Sequence, residues 1–359
     1  MIPTPGATRH RGEGRGLVGG NPRRRSTRPR APRAKVSRLR LVFMDDANAV
    51  VAAILAGTAH AATADTIDLE HALVLEQQWA SSRGGVVLRS PVGVRHATPQ
   101  LRPEYANPPA LLDPRVRKAL THAIDRQALA DTLTQGSGTA ADTLVLPQVE
   151  YFAEVQAAIT TYPYDLARTE QLMRAAGWAR GSDGVFATAT GARFSLEAAV
   201  AAGARNDLEV QIMADSLRRA GIDASSRVIP RAQITDRQMR SALGGILNVS
   251  HQRAFVPPVD RLRASEIPSA ENRWQGSNQG GWTNPEYERL VAAYETALER
   301  ERRDQAVVAM MKLVSEEQPV IPLYYNLSFF VHVANLRGPM ASVSDDVANW
   351  NLPDWTWTD

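Results

Sequence analysis

Cysteine is absent from all 359 residues. That excludes disulfides, CxxC redox chemistry and thiolate metal sites, and it leaves the redox compartment unspecified. Long apolar runs are absent too, with nothing approaching the roughly 18–20 apolar residues of a membrane-spanning helix. The seven histidines are scattered, without an HExxH or other paired metal-ligand spacing. A lone histidine such as His122 reads as a surface or capped core residue. There is no G-x-x-x-x-G-K-[ST] phosphate loop and no G-x-S-x-G nucleophile elbow. GRGLVGG near the N terminus lacks the strand–helix setting of a dinucleotide loop. No candidate catalytic residue, metal site or cofactor emerges, which turns the reading from an enzyme toward a binding protein.

Acidic residues are also scarce, but only at one end. Residues 1–40 carry 11 arginines and Lys35 against the single acid Glu13, while residues 41–359 hold 29 basic and 37 acidic side chains. The net charge of +3 and the pI near 9.3 therefore belong to a tail on an acidic body. Residues 1–36 are rich in Arg, Pro and Gly and have little to bury, so a disordered segment is expected. Aromatics for base stacking are not interleaved there, so nucleic acid is not an expected partner.

The remaining length suits about two domains. Ala47–Ala64, ANAVVAAILAGTAHAATA, has the apolar run and A-x-A ending of a secretory leader. Asp45 and Asp46 interrupt the basic region before it, and it lies far from the N terminus. A strand at Leu39–Phe43 followed by an Ala-rich helix ending at Gly57 fits better, and no credible N-terminal signal is evident.

Asp113-Pro114 starts a helix, DPRVRKALTHAIDR, as N-cap and first-turn proline. Val116, Ala119, Leu120, Ala123 and Ile124 form its apolar stripe. Arg115, Arg117, Lys118, Asp125 and Arg126 fall mostly on the other face, which reads as solvated. Asp165–Ala176 is a second helix, closed by Gly177, with Leu166, Thr169, Leu172, Met173 and Ala176 inward. Ser182-Asp183-Gly184 reads as a hairpin turn before the strand VFATAT. A turn at Gly191 then leads into the strand RFSLEAAV. Asn206 and Glu209 have capping-box spacing for a helix ending at Gly221, which hands over to the strand IDASSRVI. Gly245–Val249 is a short strand. Asn284-Pro285 opens a helix with Leu290, Val291, Tyr294 and Ala297 inward. A further helix buries Ala306, Val307, Met310, Met311 and Val314, and VIPLYY is a strand. Interleaved helices and strands make the fold class α/β.

Between them runs an irregular stretch, His251–Thr283, of a length that is usually functional. It holds Trp274, Gln275, Asn278, Gln279 and Trp282, with glycines at 276, 280 and 281. Indoles offer contact area, amides bond a ligand and glycines permit close approach. Equally, both tryptophans can be core plugs beneath a loop.

DPRVRKALTHAIDR closely resembles a segment of the solute-binding proteins of ABC importers, the family-5 peptide/nickel type. Tyr162–Asp165 (YPYD), Ala175–Trp178 (AAGW), Ala220–Asp223 (AGID), Asn284–Leu290 (NPEYERL) and Glu316–Tyr325 (EEQPVIPLYY) match in order. The resemblance covers Asp113–Tyr325, with a looser match upstream. It implies a large two-lobed fold of the periplasmic-binding-protein type II-like class, with solute held in the cleft without chemistry. A di- or oligopeptide is the expected solute, ABC permease subunits the expected partners, a monomer the expected state and an extracytoplasmic location the expected place.

It also implies a departure. In the family a leader, most of lobe I and a small extra domain precede the position of Val36, where the arginine-rich segment stands here. The expected organisation is a tail (1–36), a remnant of lobe I (37–110), a complete lobe II (111–325) and a returning C-terminal segment (326–359), with lobe I largely missing. Asn248 and His251 at a strand end, with Trp274, Asn278 and Trp282, are the expected ligand wall. Arg102, in QLRPEY, is a further candidate near the hinge, with a structural role competing. The alternative is a non-functional or interaction-only truncated lobe with a basic polyanion-binding arm.

Overall fold

The structure is a computed structural model that describes residues 35–63, 66–248, 252–253, 258–340 and 351–358. Residues 1–34 of the tail, and His251, lie outside the described residues. In chain order, α1 (Ala47–Leu55), β1 (Ala61–Ala62) and α2 (Leu69–Trp79) lead into a long strand, β2 (Gly85–Pro99). Four helices follow: α3 (Pro114–Ala123), α4 (Arg126–Thr134), α5 (Phe152–Ala158) and α6 (Leu166–Ala175). A small hairpin, β3 (Ala179–Arg180) and β4 (Phe186–Ala187), precedes β5 (Ser195–Ala201), α7 (Ala204–Arg219) and β6 (Asp223–Ile229). Two short helices, α8 (Arg231–Ile234) and α9 (Arg237–Ser241), lead to β7 (Ile246–Asn248) and β8 (Gln252–Arg253). The chain ends with α10 (Pro285–Thr296), α11 (Arg300–Glu317), β9 (Ile321–Val333), β10 (Leu336–Arg337) and β11 (Thr356–Trp357).

Local chemistry sets most of these boundaries. Asp113, Asp125, Asp165 and Asn284 each accept a backbone N–H of the helix they precede, which satisfies a donor with no intrahelical partner. Gly177 and Gly221 take φ of 90° and 93° just past α6 and α7, where a side chain would be strained.

One sheet organises the molecule, in the order β1-β9-β2-β7-β5-β6 with β8 also on β2. β2 and β9 pair antiparallel from Gly85–Val333 to Ala97–Ile321. Because strand side chains alternate, this pair serves several cores at once. Near its upper end Phe329 and Val331 face Val50, Ile54, Ala72 and Leu75 of α1 and α2. Phe330 points the other way, to Leu336 and Trp355. Lower down, Ala97, Ile321 and Leu323 join the core of α3, α4, α6 and α7. Val94 and Tyr325 join that of α10 and α11. Between upper and lower cores the β2–β9 register shifts at Pro91/Gly93. Opposite it, Asn326 and Leu327 are half-buried within the otherwise buried run from Ile321 to His332 of β9.

β7 runs antiparallel to β2, with Asn248 opposite Ala97 and Ile246 opposite Pro99, so its carboxyl end points up toward that junction. β5 is parallel to both β6 and β7. The carboxyl ends of three strands, at Ala201, Ile229 and Asn248, therefore open on one side, where open α/β sheets place their ligands.

Several local expectations are corrected. Leu39–Phe43 forms no strand; it is exposed, Phe43 by 93%, and α1 begins only after the Asp46 cap. DPRVRKALTHAIDR is two helices, because Asp125 caps a new one at Arg126. The apolar stripe of α3 is fully buried as its spacing requires, but Arg117 and Arg126 are buried as well. Arg117 donates to the carbonyls of Leu111, Leu112, Glu317 and Gln318, and Arg126 to those of Ala141, Tyr162 and Pro322 and to Asp142. A planar fork of donors can replace water around carbonyls that no helix or strand satisfies. Asn206 does not cap α7; Gly203 does, and Glu209 turns inward. VFATAT shortens to Phe186–Ala187.

Candidate functional site

The chain after β7 builds a wall along the lower end of β2, where Leu101 donates to the carbonyl of Gly280 and Arg102 to those of Pro268 and Gln279. Asn248 ends β7; its side chain, like His251, lies outside the described residues. Residues 258–283 then fold over the lower core in short turns, and their internal bonds define what each candidate can do.

Asn278 is 2% exposed. Its amide nitrogen donates to the carbonyls of Leu262, Arg263 and Trp282, and its oxygen accepts from the N–H groups of Gly281 and Trp282. One side chain thereby pins two passes of the loop together. Trp282 is buried against Tyr287 in an edge contact at 5.1 Å, and its indole N–H donates to Glu317 at 2.7 Å. Arg102 is buried and donates to the carbonyls of Ser241, Pro268 and Gln279 and to the Gln100 side chain. Gly281, at φ 74°, lies so close that a Cβ would stand 2.3 Å from Arg102 Cγ. Arg102, Asn278 and Trp282 are thus brought together as one internal bracket, with their polar atoms engaged by the chain itself. Burial pulls the Arg102 guanidinium below its ordinary range.

Trp274 stands apart from the bracket. It is half-buried, and with Arg273 it takes a left-handed backbone, φ 58° and 57°. That conformation is rare for bulky residues, and here its N–H donates to the carbonyl of Ser269 at 2.7 Å. Among the candidates whose side chains are described, it alone keeps a broad ring surface partly open.

Two sets of residues escaped the sequence reading. The first is a buried network where β2, β9 and α7 meet. Arg95 and Tyr324 are direct cross-strand partners, and both reach Glu209. Arg95 donates to it twice, at 3.0 and 2.9 Å, and Tyr324 through its hydroxyl. Arg95 also donates to Asn206 at 3.0 Å. Burial lowers the Arg95 pKa, but Glu209 outweighs it and the net shift is upward. Burial, then Glu209, pushes the Tyr324 hydroxyl up. A glutamate on the inward face of an amphipathic helix was the signal available, and the capping-box spacing masked it. The second is Glu317, which accepts from Trp282 and Asn284, each at 2.7 Å. It ties both ends of the loop's last stretch to α11. His96 is also buried beside this wall; burial holds its pKa down to about 4, leaving a neutral ring.

Among the described residues the arrangement has no group of three metal-ligating side chains. It offers a shaped wall with fixed edges. A family model described as "Bacterial extracellular solute-binding proteins, family 5 Middle" matches residues 29–258. The chain belongs to this family. Family 5 relatives include the oligopeptide-binding protein AppA of Bacillus subtilis, 22% identical over 255 residues, which are 68% of this chain and 44% of the relative. The heme-binding protein A of Haemophilus influenzae is 25% identical over 236 residues, 64% of this chain and 39% of the relative. Among solved family 5 structures, AppA of Bacillus subtilis in complex with a nonapeptide superposes with a TM-score of 0.65 at 18% identity, covering 88% of this chain and 60% of that one. NikZ of Campylobacter jejuni in complex with Ni(L-His) gives 0.65 at 19% identity, with the same coverage. The mixed α/β fold is that of family 5, and the chain spans less than half the length of these curated relatives.

Proposed function

We propose that this chain supplies one wall and the hinge strands of a solute receptor for an ABC importer, and that its solute is a short peptide held without chemistry. The observation that carries this reading is the β2–β9 pair. An upper and a lower pair of cores hang on it, and the carboxyl ends of β5, β6 and β7 open toward the junction between the upper and lower pairs. Peptides are favoured over heme or nickel chelates because AppA and OppA of Bacillus subtilis, both among its relatives, are oligopeptide-binding proteins. The relatives also include a di/tripeptide-binding protein of Pseudomonas aeruginosa and a glutathione-binding protein of Salmonella, 38% identical over 69 residues. Residues 37–110 and 326–359 are assigned to one lobe and 111–325 to the other, with β2 crossing between them from Val94 onward, where it joins the second lobe's cores, and the receptor works as a monomer beside its permease outside the cytoplasmic membrane.

Within that wall, Trp274 is the proposed solute contact, and Asn248 and His251 are carried as further candidates on the family resemblance alone. Arg102, Asn278 and Trp282 hold the loop that carries Trp274, which is a different way of serving the same site. The test is calorimetric titration of the purified chain with tri- to pentapeptides, glutathione, heme and nickel–histidine. Saturable peptide binding that weakens at least about tenfold in Trp274→Ala, a loss of roughly 1.4 kcal/mol, supports the reading. Binding of heme or nickel–histidine with no peptide response rejects the solute class, and no response to any of them rejects the receptor role for this chain.

A further inference from the structure

Away from the strand ends, α5 and α11 leave an open groove of ≈ 900 Å³ between them. Its floor is apolar, made by Val308 and Ala309 and by the ring of Tyr151. Burial, and then Asp304, push the Tyr151 hydroxyl up to about 12, so the ring stays neutral. Its rim carries four carboxylates against two cations. Arg300 is shared between Glu150 at 2.6 Å and Asp304 at 3.6 Å, and Lys312 faces Glu316 at 4.0 Å. Among the described residues neither Glu154 nor Glu301 has a cationic partner, so the rim keeps an uncompensated negative edge above an apolar floor.

The same chain carries the complement. Residues 1–34 hold nine arginines against Glu13, six of them between Arg23 and Arg33. Where the described chain begins, Val36 packs on the cluster of Phe330, Leu336 and Trp355. Phe330 is the strand partner of Leu88. Three residues further along β2, the carbonyl of Pro91 accepts from Gln148 at 2.9 Å, and Glu150 and Tyr151 of the groove follow directly. The tail is therefore tethered a short strand segment, about 10 Å, from the groove's approach. Twelve residues of chain reach about 40 Å when extended, more than the gap requires.

We propose that the groove between α5 and α11 is the docking site of the arginine-rich segment Arg23–Arg33 of the same chain. Guanidinium groups meet Glu154 and Glu301, and arginine stems cover Tyr151 and Val308, combining ion pairing with cation–π and apolar contact. Tethering raises the segment's effective concentration to about the millimolar range, enough for a weak charged contact to persist. Since Gln148 bonds Pro91 at the β2–β9 register shift, the docked segment braces the junction of the upper and lower cores in a salt-dependent way. This contact is independent of which solute the receptor holds.

The experiment places a photoreactive p-benzoyl-phenylalanine at position 28 of the full chain and maps its adducts after illumination. Intrachain adducts are expected within residues 150–158 and 300–312. Their yield should fall at least about fivefold at 0.5 M salt, where the screening length drops to roughly 4 Å, and similarly in Glu154→Lys/Glu301→Lys. An unchanged melting temperature establishes that this surface variant folds. If it does not fold, a free peptide of residues 21–33, added in excess to the unaltered chain, must compete the adducts away. Adducts on other surfaces or on a second chain overturn the proposal, as does a yield indifferent to salt, to the charge reversal or to the competitor.

Discussion

Replacing Glu209 by glutamine tests how the two hinge strands are fixed to the helix beside them. The change is nearly isosteric, so it leaves no cavity. In the native chain the Glu209 side chain is fully buried and that of Arg95 is 11% exposed. Glu209 accepts two bonds from Arg95 and one from Tyr324. Glutamine keeps one acceptor and turns an N–H₂ group toward the guanidinium, leaving Arg95 with Asn206 and a half-satisfied neighbour. Stranding a buried charge in this way costs about 3–5 kcal/mol. For a chain of this size that corresponds to roughly 4–7 °C in Tm. Urea unfolding followed by tryptophan fluorescence should show a lowered midpoint with an unchanged slope. Adding Arg95→Met removes the stranded charge, so the double variant should recover at least about 2 kcal/mol relative to the sum of the singles. A Glu209→Gln cost under about 1 kcal/mol, or strict additivity, would refute the claim that the pair acts as a buried unit.

Three further outcomes are expected. His96 is held neutral with a folded pKa of about 4, against an ordinary 6.5. The unfolded chain therefore binds the extra proton first, and the stability this group contributes is full above pH 6.5 and lost as pH falls toward 4. The loss is at most about 3 kcal/mol. Denaturant midpoints across pH 4–7 for the native chain and His96→Gln should diverge, and parallel curves would remove His96 as the cause. Trp282→Phe deletes the indole donor to Glu317 while keeping the ring against Tyr287, and should cost roughly 1–3 kcal/mol, read in the same unfolding assay; a neutral result would mean the bond is not a brace. Leu120→Ala, at a fully buried position of α3, should cost about 2–5 kcal/mol, and a cost below 1 kcal/mol would show that α3 packs more loosely than its buried stripe implies.

What was legible depended on range. Asp113-Pro114, Asp165 and Asn284-Pro285 state helix starts in a few adjacent letters, because a cap and its N–H are neighbours in sequence. The inward faces of α6 and α11 were readable for the same reason. Arg117 and Arg126 were misread because periodicity puts a charge outside a helix by default, whereas their carbonyl partners come from segments distant in sequence. Leu39–Phe43 shows the opposite failure: strand-like letters form a strand only where a neighbouring edge receives them. In the loop, composition flagged Trp274, Asn278 and Trp282. It could not tell a group that turns outward from one whose bonds are spent on its own loop, since that depends on where Leu262 and Glu317 lie in space. The motifs that carry the family resemblance bond to one another: Arg117 and Asn284 to Glu317, and Arg126 to the carbonyls of Tyr162 and Pro322.

The long pairing of β2 with β9 also dictates an order of events during synthesis. Gly85 waits for Val333 and Ala97 for Ile321, so the strand on which the upper and lower cores hang leaves the ribosome long before its partner exists. At about 5–20 residues per second that interval lasts tens of seconds, during which β2 offers an unpaired apolar edge of the kind that recruits foreign strands. The nascent chain has to be shielded until its last portion appears. A translation pause or premature stop before Ile321 should convert the molecule from a slow folder into a client of holding chaperones.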